Sequence, residues 1–78
     1  MIIKILGSGC ANCHRLEANA TTALATLGLE ATIEAVTDAA EIASYGVLRT
    51  PGLVVDDRVL VSGRVPDAAE IARLLTAS

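Results

Sequence analysis

Cys10 and Cys13 are the only cysteines in the chain, and just two residues, Ala11 and Asn12, separate them. Two thiols three positions apart at a helix start lie within about one turn, so their Cα atoms can approach the roughly 4.4–6.8 Å that a disulfide spans. Cys10 falls at or just before the first helical position. Unpaired amides and the positive end of the helix dipole there favour a thiolate, the form that attacks disulfides. Cys13, one turn further along and on the apolar side, is the more shielded sulfur. That asymmetry makes Cys10 the attacking nucleophile and Cys13 the resolving thiol of an exchange reaction. A bare Cys-x-x-Cys also suits a structural pair or a soft metal, so the surrounding elements have to decide.

The elements that must carry this pair follow from hydrophobic period and turn residues. Ile2 to Leu6 is apolar on both faces except at Lys4, the pattern of a central strand covered on each side. Gly7-Ser8-Gly9 breaks it. From Ala11 to Leu27 the residues Cys13, Leu16, Ala20, Ala23, Leu24 and Leu27 recur at helical spacing, with Arg15, Asn19, Thr22 and Thr26 on another face, and Gly28 closes the helix. Leu29 to Val36 reads as a second, more exposed strand, with β-branched Thr32, Ile33 and Val36 set against Glu30 and Glu34. Asp38 and Glu41 form a capping pattern that opens a short helix ending near Tyr45-Gly46. After Thr50-Pro51-Gly52, Leu53–Val55 and Arg58–Val61 read as a hairpin turning through Asp56-Asp57 and ended by Gly63. Asp67 and Glu70 repeat the cap and start a last helix with Ile71, Leu74 and Leu75 inward. The hexapeptide Asp-Ala-Ala-Glu-Ile-Ala occurs twice, at Asp38 and at Asp67, but its flanks differ, so it marks two similar caps rather than a repeat. The expected order is β-α-β-α-β-β-α, an α/β fold with a four-stranded mixed sheet, helices on both faces and a right-handed first crossover.

Composition limits the alternatives. Seventy-eight residues allow a single domain, 1–78, with no room for a separate cofactor domain. A chain that is 53% hydrophobic, with Tyr45 as its lone aromatic, must build its core from Ala, Leu, Ile and Val. A net charge of −3, no cluster of Lys or Arg and no stacking aromatics argue against nucleic acid or an anionic membrane as partner. Mean hydropathy is positive, yet charged or strongly polar residues interrupt every window before the roughly 18–20 apolar residues of a membrane span. The start of the chain lacks the pattern of a signal peptide, which makes the expected location the cytoplasm. In that compartment a close cysteine pair is more often redox-active or metal-binding than structural.

A Cys-x-x-Cys after the first strand of a β-α-β unit, with Thr50-Pro51 ahead of the third strand, resembles the thioredoxin and glutaredoxin superfamily. Over nearly the whole chain it is most similar to the small, glutaredoxin-sized "redox-active disulfide" proteins of archaea and bacteria. Gly7-Ser8-Gly9-Cys10, Pro51-Gly52-Leu53-Val54-Val55-Asp56 and Gly63-Arg64-Val65 carry that likeness. No Trp precedes Cys10, and Ala11-Asn12 stands where thioredoxins have Gly-Pro and many glutaredoxins Pro-Tyr. The resemblance implies a thioredoxin-like fold and thiol-disulfide oxidoreductase activity without a bound cofactor. It implies that Pro51 is cis, that Thr50 docks the substrate backbone, and that Ala11 and Asn12 border the same contact. Its implied partners are a disulfide-containing protein substrate and a reductase or thiol donor, with the chain acting as a monomer.

The neighbouring side chains have plain readings beside functional ones. His14 follows Cys13 and is simplest as a solvated side chain, with support of a thiolate as the alternative. Arg49 and Arg64 bracket the loops expected near Cys10, where a guanidinium lowers a thiol pKa or holds an acidic group, though exposed arginines usually do neither. Lys4 is odd on a central strand, because a buried ammonium without a partner is costly; reaching to the sheet edge is the simple solution. Asp56-Asp57 is a turn, Tyr45 a core residue. The rival function is a soft-metal carrier for Cu(I) or zinc, as in heavy-metal-associated domains, but those domains run two strands after their first helix and end on a strand. A closed zinc site needs four ligands, more than Cys10, Cys13 and His14 provide in one chain, which leaves only a shared site in a dimer. A redox-sensing interaction module using the same cysteine pair is a third reading.

Overall fold

The computed structural model describes residues 1–7, 11–47 and 49–77. In chain order the elements are β1 (Ile2–Leu6), α1 (Ala11–Leu27), β2 (Thr32–Val36), α2 (Ala39–Ser44), β3 (Gly52–Val55), β4 (Arg58–Ser62) and α3 (Ala68–Ala77). The four strands form one mixed sheet in the order β2-β1-β3-β4. β1 pairs parallel to β2 and antiparallel to β3, and β3 pairs antiparallel to β4. The fold is α/β and thioredoxin-like, and it ends on a helix, unlike the metal-carrier order.

Side-chain alternation along β1 sorts the core into two layers. Ile3 and Ile5 join Leu53, Val55 and Val61 of the sheet with Leu16, Ala20, Ala23 and Leu24 of α1 and Ile71 and Leu75 of α3. Leu6 turns the other way, to Val36, Val47 and Val54, where Ile42 and Tyr45 cover it from α2 and its end. Ala20 and Ala23 are completely buried. Their small size lets α1 lie close on its neighbours, which is how a chain with one aromatic residue fills its interior.

Local chemistry sets the element ends. α1 stops in a Schellman motif: Leu29 N–H donates to the Leu24 carbonyl at 3.0 Å and Gly28 N–H to that of Ala25 at 3.3 Å, with Gly28 at φ +68°, a conformation that favours glycine. Asp38 and Asp67 cap α2 and α3, accepting from the Glu41 N–H at 3.0 Å and the Glu70 N–H at 2.8 Å. Asp56 and Asp57 take φ +49° and +67°, the two positive values of a tight hairpin turn whose twist matches the strands. A register shift between Leu53 and Val54 lets Val61 and Val59 be their partners, so Leu60 is the extra residue of a bulge.

Two expectations need correction. The second strand begins at Thr32 rather than at Leu29: its parallel partner β1 begins at Ile2, and Thr32 N–H donates to the Met1 carbonyl at 3.1 Å, so residues 29–31 have no strand beside them to pair with. Lys4 does not run to the sheet edge. It lies on the α2 side of β1, half-buried, and its ammonium donates to the Tyr45 hydroxyl at 2.8 Å and sits 5.6 Å from the ring centroid. The hydrogen bond to Tyr45 raises the Lys4 pKa against an opposing effect of burial. Tyr45 accordingly serves both as a core side chain and as the lysine's partner.

Ile71 is fully buried in the larger cluster. Ile71→Ala is expected to destabilise the protein by about 2–5 kcal/mol, through lost burial and the cavity left behind. A denaturant titration measures this, and a loss under about 1 kcal/mol would mean α3 is not packed as described.

Candidate functional site

The end of β1, the first turn of α1 and the loop before β3 converge at Gly7. The Gly7 N–H donates to the Val36 carbonyl at 2.9 Å, which fixes the chain as it leaves the sheet. A Cβ built on Gly7 would fall far inside the van der Waals contact distance of the Cys13 sulfur, and it would lie 3.6 Å from Cys13 Cβ and 3.7 Å from Thr50 Cβ. Glycine is therefore required by close approach: the sulfur occupies the space a side chain would take. Cys13 is 6% exposed and belongs to the α1 core cluster.

Thr50 reaches this point through a cis peptide bond to Pro51. Thr50 is exposed and Pro51 buried, so the loop turns one residue outward beside the Cys13 sulfur while its neighbour anchors it. The Pro51 carbonyl accepts from Gly63 N–H at 2.9 Å, and Gly52 pairs with Ser62. Gly63 has φ +79°, a left-handed conformation that favours glycine, and the Arg49 side chain lies over it, its Cβ 3.1 Å from where a Cβ on Gly63 would stand.

The other sequence-derived candidates take different places. Ala11, Asn12 and His14 are exposed on the first turn of α1. Arg49 is exposed next to Thr50. Both terminal nitrogens of Arg64 donate to the Glu70 carboxylate, Nη1 to Oε1 at 2.9 Å and Nη2 to Oε2. Its guanidinium is thus held by α3. The Glu70 carboxyl is kept below the usual carboxylate range, first by that hydrogen bond and then by the attraction of Arg64, with desolvation opposing. Cys10 lies outside the described residues, as do Ser8 and Gly9. Asn19, assigned to the polar face of α1, is half-buried, and its side-chain N–H donates to the Pro66 carbonyl at 3.0 Å, tying α1 to the turn before α3.

Gly7 and Gly63 are the site residues that sequence reasoning passed over as mere breaks. The available signal was position: each glycine ends a strand whose tip lies beside a candidate site residue.

A sequence profile described as Thioredoxin domain matches residues 1–76. The chain is 41% identical over 76 residues to a thioredoxin of Methanothermobacter thermautotrophicus, covering 97% of this chain and 99% of that protein. The chain belongs to the thioredoxin family. A thioredoxin of Methanocaldococcus jannaschii is also similar, at 39% over 71 residues, 91% of this chain and 81% of the relative. Thioredoxins are thiol-disulfide oxidoreductases, and membership gives this chain that activity in general terms. At the convergence of Gly7, Cys13, Thr50 and cis-Pro51 a buried cysteine and an exposed threonine stand side by side.

Gly7→Ala is expected to cost about 1–3 kcal/mol of stability, because the added methyl displaces the Cys13 sulfur or the end of β1. The same substitution in a Cys13→Ala background is expected to cost clearly less. Equal costs in the two backgrounds, read from denaturant titrations, would show that sulfur and glycine do not touch. The Arg64–Glu70 pair has a pH signature. Because the folded Glu70 carboxyl is shifted down, its stabilisation is complete above the unfolded carboxylate's pKa and fades as pH falls through the lower folded value. Wild type is therefore expected to exceed Glu70→Gln in stability near neutral pH, with the gap closing in acid; a gap that widens in acid contradicts the pairing.

Proposed function

We propose that the protein exchanges dithiol for disulfide through Cys10-Ala11-Asn12-Cys13, with Cys10 as nucleophile and Cys13 as resolving thiol. The observation that carries this reading is the setting of Cys13: a sulfur 6% exposed, one turn into α1, lying against Gly7 and next to exposed Thr50. A sulfur so shielded is suited to intramolecular attack rather than to meeting a large substrate. Cys10 immediately precedes Ala11, the first residue of α1, where the helix dipole favours a thiolate.

The Cys10 thiolate attacks one sulfur of a substrate disulfide. A Cys10–substrate bond forms, the substrate S–S bond breaks, and one substrate thiolate leaves and takes up a proton. Cys13, deprotonated, then attacks the Cys10 sulfur, forming the Cys10–Cys13 bond and releasing the second substrate thiolate. The substrate gains two electrons and the protein loses two. A thiol donor or reductase restores the dithiol by the reverse sequence. Thr50, presented by cis-Pro51, is the backbone against which the substrate chain docks, with Ala11 and Asn12 bordering the contact. The protein acts as a monomer in a reducing cytoplasm, on a disulfide-bonded protein, and no bound cofactor takes part.

Cys10→Ser is expected to abolish reduction of a protein disulfide such as that of insulin, a loss of at least about 10³-fold. Cys13→Ser should accumulate a covalent substrate adduct on Cys10, seen as a mass increase that dithiothreitol removes. A Cys10→Ser protein that still turns over, or a Cys13→Ser protein that never forms the adduct, overturns the assignment of roles.

A further inference from the structure

The chain is acidic, with nine carboxylates against six Lys and Arg. The nine carboxylates stand at Glu17, Glu30, Glu34, Asp38, Glu41, Asp56, Asp57, Asp67 and Glu70. Of the cations, Arg49 directly precedes the Thr50–Pro51 turn and Arg64 directly follows Gly63, beyond the end of β4. Arg64 is occupied by Glu70. Arg49 directly precedes Thr50, is exposed, and among the described residues has no carboxylate partner. Its stem lies on the bare backbone of Gly63, with Cβ, Cδ and Cγ at 3.1, 3.4 and 3.8 Å from the position a Cβ would take there. That bed restricts the side chain before any partner arrives, which lowers the entropy lost when the guanidinium grips an acid.

We infer that Arg49 selects substrates, favouring protein disulfides flanked by an acidic residue. This rests on the dithiol-exchange reading above and adds the chemistry of the partner to it. An arginine beside the docking residue offers a carboxylate a forked pair of donors. On a protein of net charge −3, that guanidinium offers an acidic segment a local attraction against the overall repulsion. Arg49 here is a specificity residue; it takes no part in the electron transfer.

The test uses the reduced full chain in a single turnover against two disulfide-bonded peptides, identical except that a Glu beside the cystine in one is Gln in the other. The protein dithiol supplies both electrons. Wild type is expected to reduce the Glu peptide about three- to tenfold faster at low ionic strength, with the difference shrinking in about 0.5 M salt. Arg49→Gln should lose the preference while keeping its rate on the Gln peptide, and that rate also shows the variant is folded. Arg49→Glu should reverse the preference, and Arg49→Lys should restore part of it. Equal rates on the two peptides in wild type, or a preference that survives Arg49→Gln, overturn the inference while leaving the exchange reading intact. If wild type reduces neither peptide nor insulin, the exchange reading fails and this inference with it.

Discussion

Because Gly7 carries no side chain, the Cys13 sulfur can lie directly against the end of the central strand. A good deal follows from that contact. The sulfur is buried although it belongs to the first turn of α1, the turn nearest the surface. The helix keeps the same close distance further along through Ala20 and Ala23, which bring little bulk to the interface. Thr50, in the loop before β3, stands on the same side, its Cβ 3.7 Å from where a Cβ on Gly7 would lie. A second glycine supports that loop from behind: Gly63 donates to the Pro51 carbonyl, and its own left-handed backbone leaves room for Arg49. The site is thus a meeting of three backbone segments rather than a cavity enclosed by side chains.

The two faces of the sheet divide the work. The α1 and α3 face holds the larger cluster, including Cys13. The other face is covered by a helix of only six residues. There the polar contact of Lys4 with Tyr45 helps to join α2 to β1, alongside Leu6, Val36, Val47 and Val54. A lysine on the central strand is tolerable because its ammonium has a hydroxyl acceptor and the face of a ring, and because it remains half-exposed to water. It lies on the face away from Cys13, which separates its charge from the sulfur chemistry.

Much of the architecture was legible in the residues. The apolar spacing from Cys13 to Leu27 with Gly28 behind it specified α1 to the residue, because helix period and a Schellman glycine point to the same end. The Asp-x-x-Glu caps marked the starts of α2 and α3 for the same reason, since capping is a local interaction written within four residues. The start of β2 was not legible: where a strand begins depends on the length of its partner, and Leu29 to Ala31 carry no sign that β1 stops at Ile2. The partner of Lys4 was hidden likewise, since Tyr45 is forty-one positions away in sequence. At the site, the cysteine spacing and Thr50-Pro51 were readable as types and order. Gly7 and Gly63 were readable only as breaks, because the need for a missing side chain arises from what another segment brings to that point.

On the reading that Arg49 selects substrates, this distribution gives so small a fold a means of selection. With one aromatic residue in the chain, and that one on the opposite face of the sheet, the described part of the site offers little surface for shape recognition of a partner. What remains is backbone and charge. If Thr50 docks the substrate as proposed, its backbone can engage an extended chain of any sequence, because main-chain hydrogen bonds do not depend on side-chain identity. In the proposed reading discrimination comes from Arg49, since the Arg64 guanidinium is taken up by Glu70. The Arg64–Glu70 pair consequently bears on more than the stability of α3: with Arg64 engaged, the proposed electrostatic preference rests on Arg49, which adjoins Thr50.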